Sequence, residues 1–187
     1  MPLPLPKYAR EPLHTRSIRV NSFAREDGQW DIEAELIDTK SYDFPLRGGE
    51  RHPAGVPVHH MHLRVTIDAK LTITDALAVY DAAPYGEFCS AIAPQYSDLI
   101  GLNLLQQFRK RVQERFARAA GCTHVTELTS VLPTVAIQTM AGQRSQATAS
   151  QRPFQLNGCH ALRVDGPVVQ AYYPQWYELP EVDCREK

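Results

Sequence analysis

The stretch Val58-His59-His60-Met61-His62-Leu63-Arg64-Val65-Thr66-Ile67-Asp68 decides the fold. Met61, Leu63, Val65 and Ile67 occupy alternate positions, so the segment reads as a β-strand with one buried face. The same parity carries His59 onto the core-facing row and turns His60 and His62 to the opposite face. A lone histidine on an apolar row is ordinarily a satisfied core residue; convergence with other ligands is what would make it a site.

Leu71 to Tyr80 continues as a fourth strand. Upstream, Arg16 to Ser22 alternates, Asp27-Gly28 supplies a turn, and a second alternating run begins over Trp30 to Asp38, which predicts a hairpin. Tyr42 to Val56 carries Pro45, Gly48-Gly49, Pro53 and Gly55 and reads as a loop, long enough to serve a function. After Tyr80 the register changes, and Cys89-Ser90 opens a short helical region. Leu102 to Ala120 then places Leu104, Leu105, Phe108, Val112, Phe116 and Ala119 at helical spacing, with Gly121 as the terminating residue. Thr123 is placed to cap the next helix, whose inward face is Val125, Leu128, Leu132, Val135 or Ala136, and Thr139, with a bend at Pro133.

The expected architecture is α+β: an antiparallel sheet of three to four strands packed on two or three helices. Residues 1–141 form that single domain, 142–150 a polar linker, and 151–187 a C-terminal extension packed on the domain. Five aromatic residues in the extension, Phe154, Tyr172, Tyr173, Trp176 and Tyr177, either wall a pocket or seal the core.

Composition excludes more than it assigns. A formal net charge of -1 over 187 residues supplies no electrostatic footprint for nucleic acid. Arg109, Lys110, Arg111, Arg115 and Arg118 share one helical segment and read as its solvated face. No apolar run approaches membrane-spanning length, and the opening Pro/Leu alternation lacks a secretory h-region, so a cytoplasmic setting is expected. A homo-oligomer is compatible with all of this. Four cysteines, Cys89, Cys122, Cys159 and Cys184, are widely spaced and read as reduced thiols. Asp27, Asp31, Asp38 and Asp43 lie beside turns or on strand faces and read as solvated. Cys122 and His124 flank a helix start, where free N–H groups and the helix dipole favour a thiolate.

The combination of His14-Thr15-Arg16, Asp27-Gly28-Gln29-Trp30-Asp31-Ile32-Glu33, Gly49-Glu50-Arg51, Pro57 to Asp68 and Gly121-Cys122-Thr123-His124 resembles a bacterial family of unknown function, DUF2889. That resemblance implies a setting in bacterial aromatic catabolism. A more distant resemblance, carried by Met61 to Asp68, Leu71 to Ala76, Cys89 to Ala93 and Leu99-Ile100-Gly101, is to the iron–sulfur scaffold proteins related to NifU. It implies that Cys89 and Cys122 match two ligand cysteines and that His59 falls at an aspartate near the cluster. The scaffolds' first cysteine would fall at Pro57, which weakens the case for an iron–sulfur cluster.

The ligand set expected from this is mixed: His59, Cys89, Cys122 and His124 holding a divalent metal, zinc or iron. His59 and Glu127 are the candidate catalytic groups, Glu127 as general acid/base or as partner to the His124 imidazole. The expected function is a lyase or hydrolase acting on a small, aromatic molecule. The alternative is an accessory protein that handles metal, sulfur or iron–sulfur units without turnover.

Overall fold

The computed structural model describes residues 3–46, 48–144, 152–153 and 155–180. Along the chain these form β1 (His14–Ala24), β2 (Trp30–Lys40), β3 (Phe44–Pro45), β4 (Arg51–His52), β5 (Pro57–Ile67), β6 (Ile73–Ala82), α1 (Glu87–Ser90), α2 (Phe108–Phe116), α3 (Thr123–Thr129), α4 (Leu132–Arg144) and α5 (Pro167–Tyr172). Strands β1, β2, β5 and β6 make one antiparallel sheet in the order β1-β2-β5-β6. The 42–56 stretch read as a loop contains the small hairpin β3–β4.

Alternation explains the sheet's two faces. Ile32, Ala34 and Leu36 of β2, Met61, Leu63, Val65 and Ile67 of β5, and Ile73 and Ala78 of β6 are buried. They pack with Phe108, Val112 and Phe116 of α2, Val125 and Leu128 of α3, and Leu132, Ala136 and Met140 of α4 in one core. Each large side chain contributes about 1.5–3 kcal/mol by leaving water. The expected inward faces of α3 and α4 hold at Val125, Leu128, Leu132 and Ala136. The two helices are separate rather than bent at Pro133, which sits in the first turn of α4. Arg109, Lys110, Arg111, Arg115 and Arg118 are exposed, as a solvated helix face requires.

The expected long helix over 102–120 is much shorter. Leu102 and Leu104 are buried but extended: the Ile73 N–H donates to Leu102 O (2.9 Å) and the Leu104 N–H to Leu71 O (2.9 Å), beside a bridge between Thr72 and Asn103. The Asn103 side chain then accepts from the Leu105 N–H (3.0 Å), turning the chain before α2 begins. At the other end Arg118, at φ 54°, lies beyond the last turn of α2.

Gly121 is extended, so it is not a left-handed helix cap. Its reason is space: a Cβ there would stand 2.7 Å from the Phe116 carbonyl oxygen and 2.8 Å from Phe116 Cβ. Gly121→Ala is therefore expected to destabilise the protein by about 1–3 kcal/mol through overpacking. Thermal unfolding checks this, and an unchanged Tm would show that the backbone gives way at no cost.

The chain divides into two compact units, Met1–Gly142 and Gln143–Lys187. In the second unit Leu156, Val164 and Val169 form a small core against which Tyr173, Trp176 and Tyr177 pack, while Tyr172 is exposed. The last three aromatics thus seal their own unit's core. Of the expected linker, 142–144 continue α4 and 145–150 lie outside the described residues, as do Phe154 and Cys184.

Candidate metal centre

The centre is built on one lateral row of the sheet. Register places Arg16 of β1 opposite Asp38 of β2, and Asp38 opposite His59 of β5. Directly opposed residues share a face, so the three side chains meet on the helix-covered side. Asp38 continues the inward row of Ile32, Ala34 and Leu36 and is 3% exposed. Its carboxylate accepts two hydrogen bonds from Arg16, Nε to Oδ1 (2.8 Å) and an Nη to Oδ2 (2.8 Å), a bidentate pairing that fixes its plane. His14 Nε2 stands 3.0 Å from Oδ1, and His59 Nδ1 3.1 Å from Oδ2.

Helix α3 adds the fourth wall. His124 Nε2 lies 3.6 Å from Asp38 Oδ2, and its ring stacks on His59 with centroids 3.8 Å apart and planes 27° from parallel. One turn on, Glu127 pairs with the outer edge of the Arg16 guanidinium. Thr123 is the first helical residue and Cys122 the cap position, which has no side-chain cap. The start of α3 is instead pinned by the fully buried Tyr96. Its hydroxyl accepts from the Cys122 N–H (3.0 Å), donates to the Cys122 carbonyl (2.9 Å) and meets the Thr126 hydroxyl at 2.8 Å. The Tyr96 ring stacks on Phe116 at 4.6 Å.

Among the described residues, two groups of three ligand atoms come within 4.8 Å of one another: Asp38, His59 and His124, and Glu35, His60 and His62. The structure thus brings together the two imidazoles of the expected set, with Asp38 in the place given to the thiols. Cys122 Sγ lies 3.9 Å from His124 Nδ1, on the edge of the ring away from the nitrogen that faces Asp38. Cys89 sits on α1, and neither cysteine joins either group. Glu127, expected to act on His124, is committed to Arg16.

Asp38 is the residue that sequence reasoning set aside, and its parity with Leu36 was the available signal. Its three companions are turn and surface residues. Asp27 binds Arg25 and Gln29, Asp31 takes the Thr66 hydroxyl (2.7 Å), and Asp43 takes the Ala54 N–H (2.9 Å).

Burial pushes the Asp38 carboxyl up, but the Arg16 hydrogen bonds and charge, helped by His14, outweigh it and hold the group at about 2. Burial lowers His59 below the usual imidazole value, against the pull of Asp38. It lowers His124 in the same way, reinforced by the neighbouring His59 and Arg16. The result is an anionic carboxylate facing two imidazoles biased towards the neutral form, the protonation states a cation requires of its ligands.

A cleft of about 370 Å³ is lined by Phe44, Leu46, Pro57, Val58 and Tyr80, among others. The Tyr80 hydroxyl is buried without a hydrogen-bond partner among the described residues. Burial, and next the Cys122 thiol beside it, raise its pKa. Tyr80 therefore links the cleft through Cys122 to His124. Tyr80→Phe is expected to raise stability by up to about 1 kcal/mol, since it removes a desolvated hydroxyl that has beside it the Cys122 thiol, a weak hydrogen-bond partner. A loss of stability in urea unfolding would show that the hydroxyl is satisfied in solution.

Fold and site together define an α+β protein whose sheet carries a buried carboxylate beneath two stacked imidazoles. The model of the family described as "Protein of unknown function (DUF2889)" matches residues 14–138, and the chain belongs to that family. The matched span begins at His14 and includes Arg16, Asp38, His59, His124 and Glu127. No curated protein and no solved structure matches the chain. No helix among the described residues is long and apolar enough to cross a membrane.

Proposed function

We propose that the chain is a metal-dependent enzyme in which Asp38, His59 and His124 hold one divalent cation, zinc or iron, for a lyase or hydrolase step on a small aromatic molecule. The observation that carries this reading is the single buried carboxylate oxygen with two imidazole nitrogens at 3.1 and 3.6 Å. Donors bound to one cation at roughly 2.0–2.2 Å lie about that far apart, and a nitrogen/oxygen set suits zinc and iron. Three protein ligands leave positions open, and a cation so held polarises a carbonyl or alkoxide or activates water.

The chain's own residues have separable duties. Arg16 keeps Asp38 ionised and oriented, and Glu127 offsets the guanidinium charge. The apolar walls Phe44, Leu46, Pro57 and Val58 suit an aromatic ring, and Tyr80 in that lining neighbours Cys122, which itself lies beside His124. The alternative, a metal-, sulfur- or iron–sulfur-handling accessory protein, requires the Cys122 thiol, 3.9 Å from the far edge of the His124 ring, to turn towards the cation as a fourth protein ligand that closes the site.

The test is metal analysis of tag-free protein purified anaerobically, followed by cobalt substitution. The enzyme reading expects one equivalent that depends on Asp38, His59 and His124, no sulfur-to-cobalt charge-transfer band, and turnover of aromatic compounds bearing a side-chain carbonyl or hydroxyl. A charge-transfer band lost in Cys122→Ala, with no turnover, would favour the accessory reading. Metal content indifferent to His59→Ala and His124→Ala would remove both.

A further inference from the structure

A second set of ligand-type side chains lies on the opposite face of the sheet. His60 and His62, two apart on β5, point away from the core, and register sets Glu35 of β2 directly opposite His62. Strand β6 supplies the fourth group through an irregularity. His60 pairs with Ala82 and Met61 with Tyr80, so Asp81 is an extra residue in β6 opposite a single step of β5. Such a bulge re-aims a side chain, and here it brings Asp81 between the two histidines. Asp81 Oδ2 lies 2.8 Å from His62 Nε2 and 3.7 Å from His60 Nδ1, while Glu35 Oε1 lies 2.9 Å from His60 Nε2. The two imidazole rings are 4.6 Å apart.

We infer that Glu35, His60 and His62 form a second site for a divalent transition cation of the zinc class, with Asp81 as the partner that orients the imidazoles. The donor set is the argument. Two imidazoles with one carboxylate favour zinc over calcium or magnesium, which take oxygen ligands, and no thiol belongs to the group to draw a softer ion. The ligand atoms of Glu35, His60 and His62 already lie within 4.8 Å of one another. Nothing in this set is shared with the Asp38 centre. Strands β2 and β5 supply the ligands, so a bound ion cross-links them, and β6 supplies the partner Asp81.

Zinc titration of the tag-free, chelator-treated full chain by calorimetry tests this. His60→Ala with His62→Ala is expected to lose one equivalent relative to the parent: from two to one if the Asp38 centre also binds, from one to none if it does not. His59→Ala with His124→Ala is expected to retain the equivalent that depends on His60 and His62, so the two sites succeed or fail separately. Glu35→Gln and Asp81→Asn, which preserve side-chain shape, are each expected to weaken that equivalent at least about tenfold, since loss even of a ligand's outer partner costs that much. An unchanged stoichiometry and affinity in His60→Ala/His62→Ala protein with a native circular dichroism spectrum would overturn the proposal. Should that variant fail to fold, unchanged affinity in both Glu35→Gln and Asp81→Asn would overturn it equally.

Discussion

Asp38→Asn is expected to abolish cation binding at the proposed central site and to lower unfolding free energy by about 2–3 kcal/mol. Breaking one partner out of a buried ion pair costs about 3–5 kcal/mol, and the Arg16 side chain, 31% exposed, recovers part of that through water. The carboxyl's own titration supplies a second figure. It ionises at about 2 in the folded protein against 3.8 ordinarily, a difference worth about 2 kcal/mol at 1.36 kcal/mol per unit. As pH falls, the unfolded chain takes up the proton first. The stabilisation is therefore complete above about pH 4 and is lost as pH falls through 2. Denaturant unfolding against pH should show this acid limb in the parent and not in Asp38→Asn. A variant less than about 0.5 kcal/mol weaker, with the limb intact, would sink the idea that Asp38 anchors the site.

His59→Ala with His124→Ala carries the larger effect on function. With both imidazoles gone Asp38 is the sole remaining ligand, and bound metal should fall from one equivalent to none at this centre. On the proposed enzyme reading, activity should drop at least about 100-fold, the upper end of what losing only a ligand's outer partner costs. The pH dependence has a definite sign. Burial holds both imidazoles below the ordinary 6.5, so their neutral forms persist as the unfolded chain begins to charge. Their contribution to stability is present above pH 6.5 and is lost as pH falls through the lower folded values. Metal affinity should weaken over that same interval, through proton competition at the nitrogens. Loss of metal affinity as pH rises from 7 to 8 would contradict the assignment of these nitrogens as ligands.

The two candidate sites that β5 serves illustrate what alternation alone can settle. A strand has a period of two, so Met61, Leu63, Val65 and Ile67 were enough to send His59 inward and His60 and His62 outward. The helical spacing of Val125, Leu128, Leu132 and Ala136 likewise predicted which faces of α3 and α4 enter the core. The same logic failed at Leu102 and Leu104. Two buried leucines at i and i+2 fit the edge of a helical stripe, and only the bridge to Thr72 distinguishes an extended segment from a first turn.

Asp38 was legible only in half. Its place in the inward row of β2 could be read from the residues before it, but an inward carboxylate without a partner costs too much to be expected. Its partner is Arg16, 22 positions away, and their pairing depends on the hairpin's register. The Asp27-Gly28 turn placed the hairpin, yet a register one residue different would have turned Arg16 to the other face of the sheet from Asp38. Likewise His124 reaches Asp38 because Tyr96, 26 positions before Cys122 in the chain, fixes where α3 starts. Alternation is local and therefore written in the sequence, which determined the sheet, the faces of its helices and the side taken by each histidine. The cost of burying a charge is repaid only by distant groups, so the tertiary structure alone decided that an aspartate, and neither cysteine, lies within 4.8 Å of both imidazoles' ligand atoms.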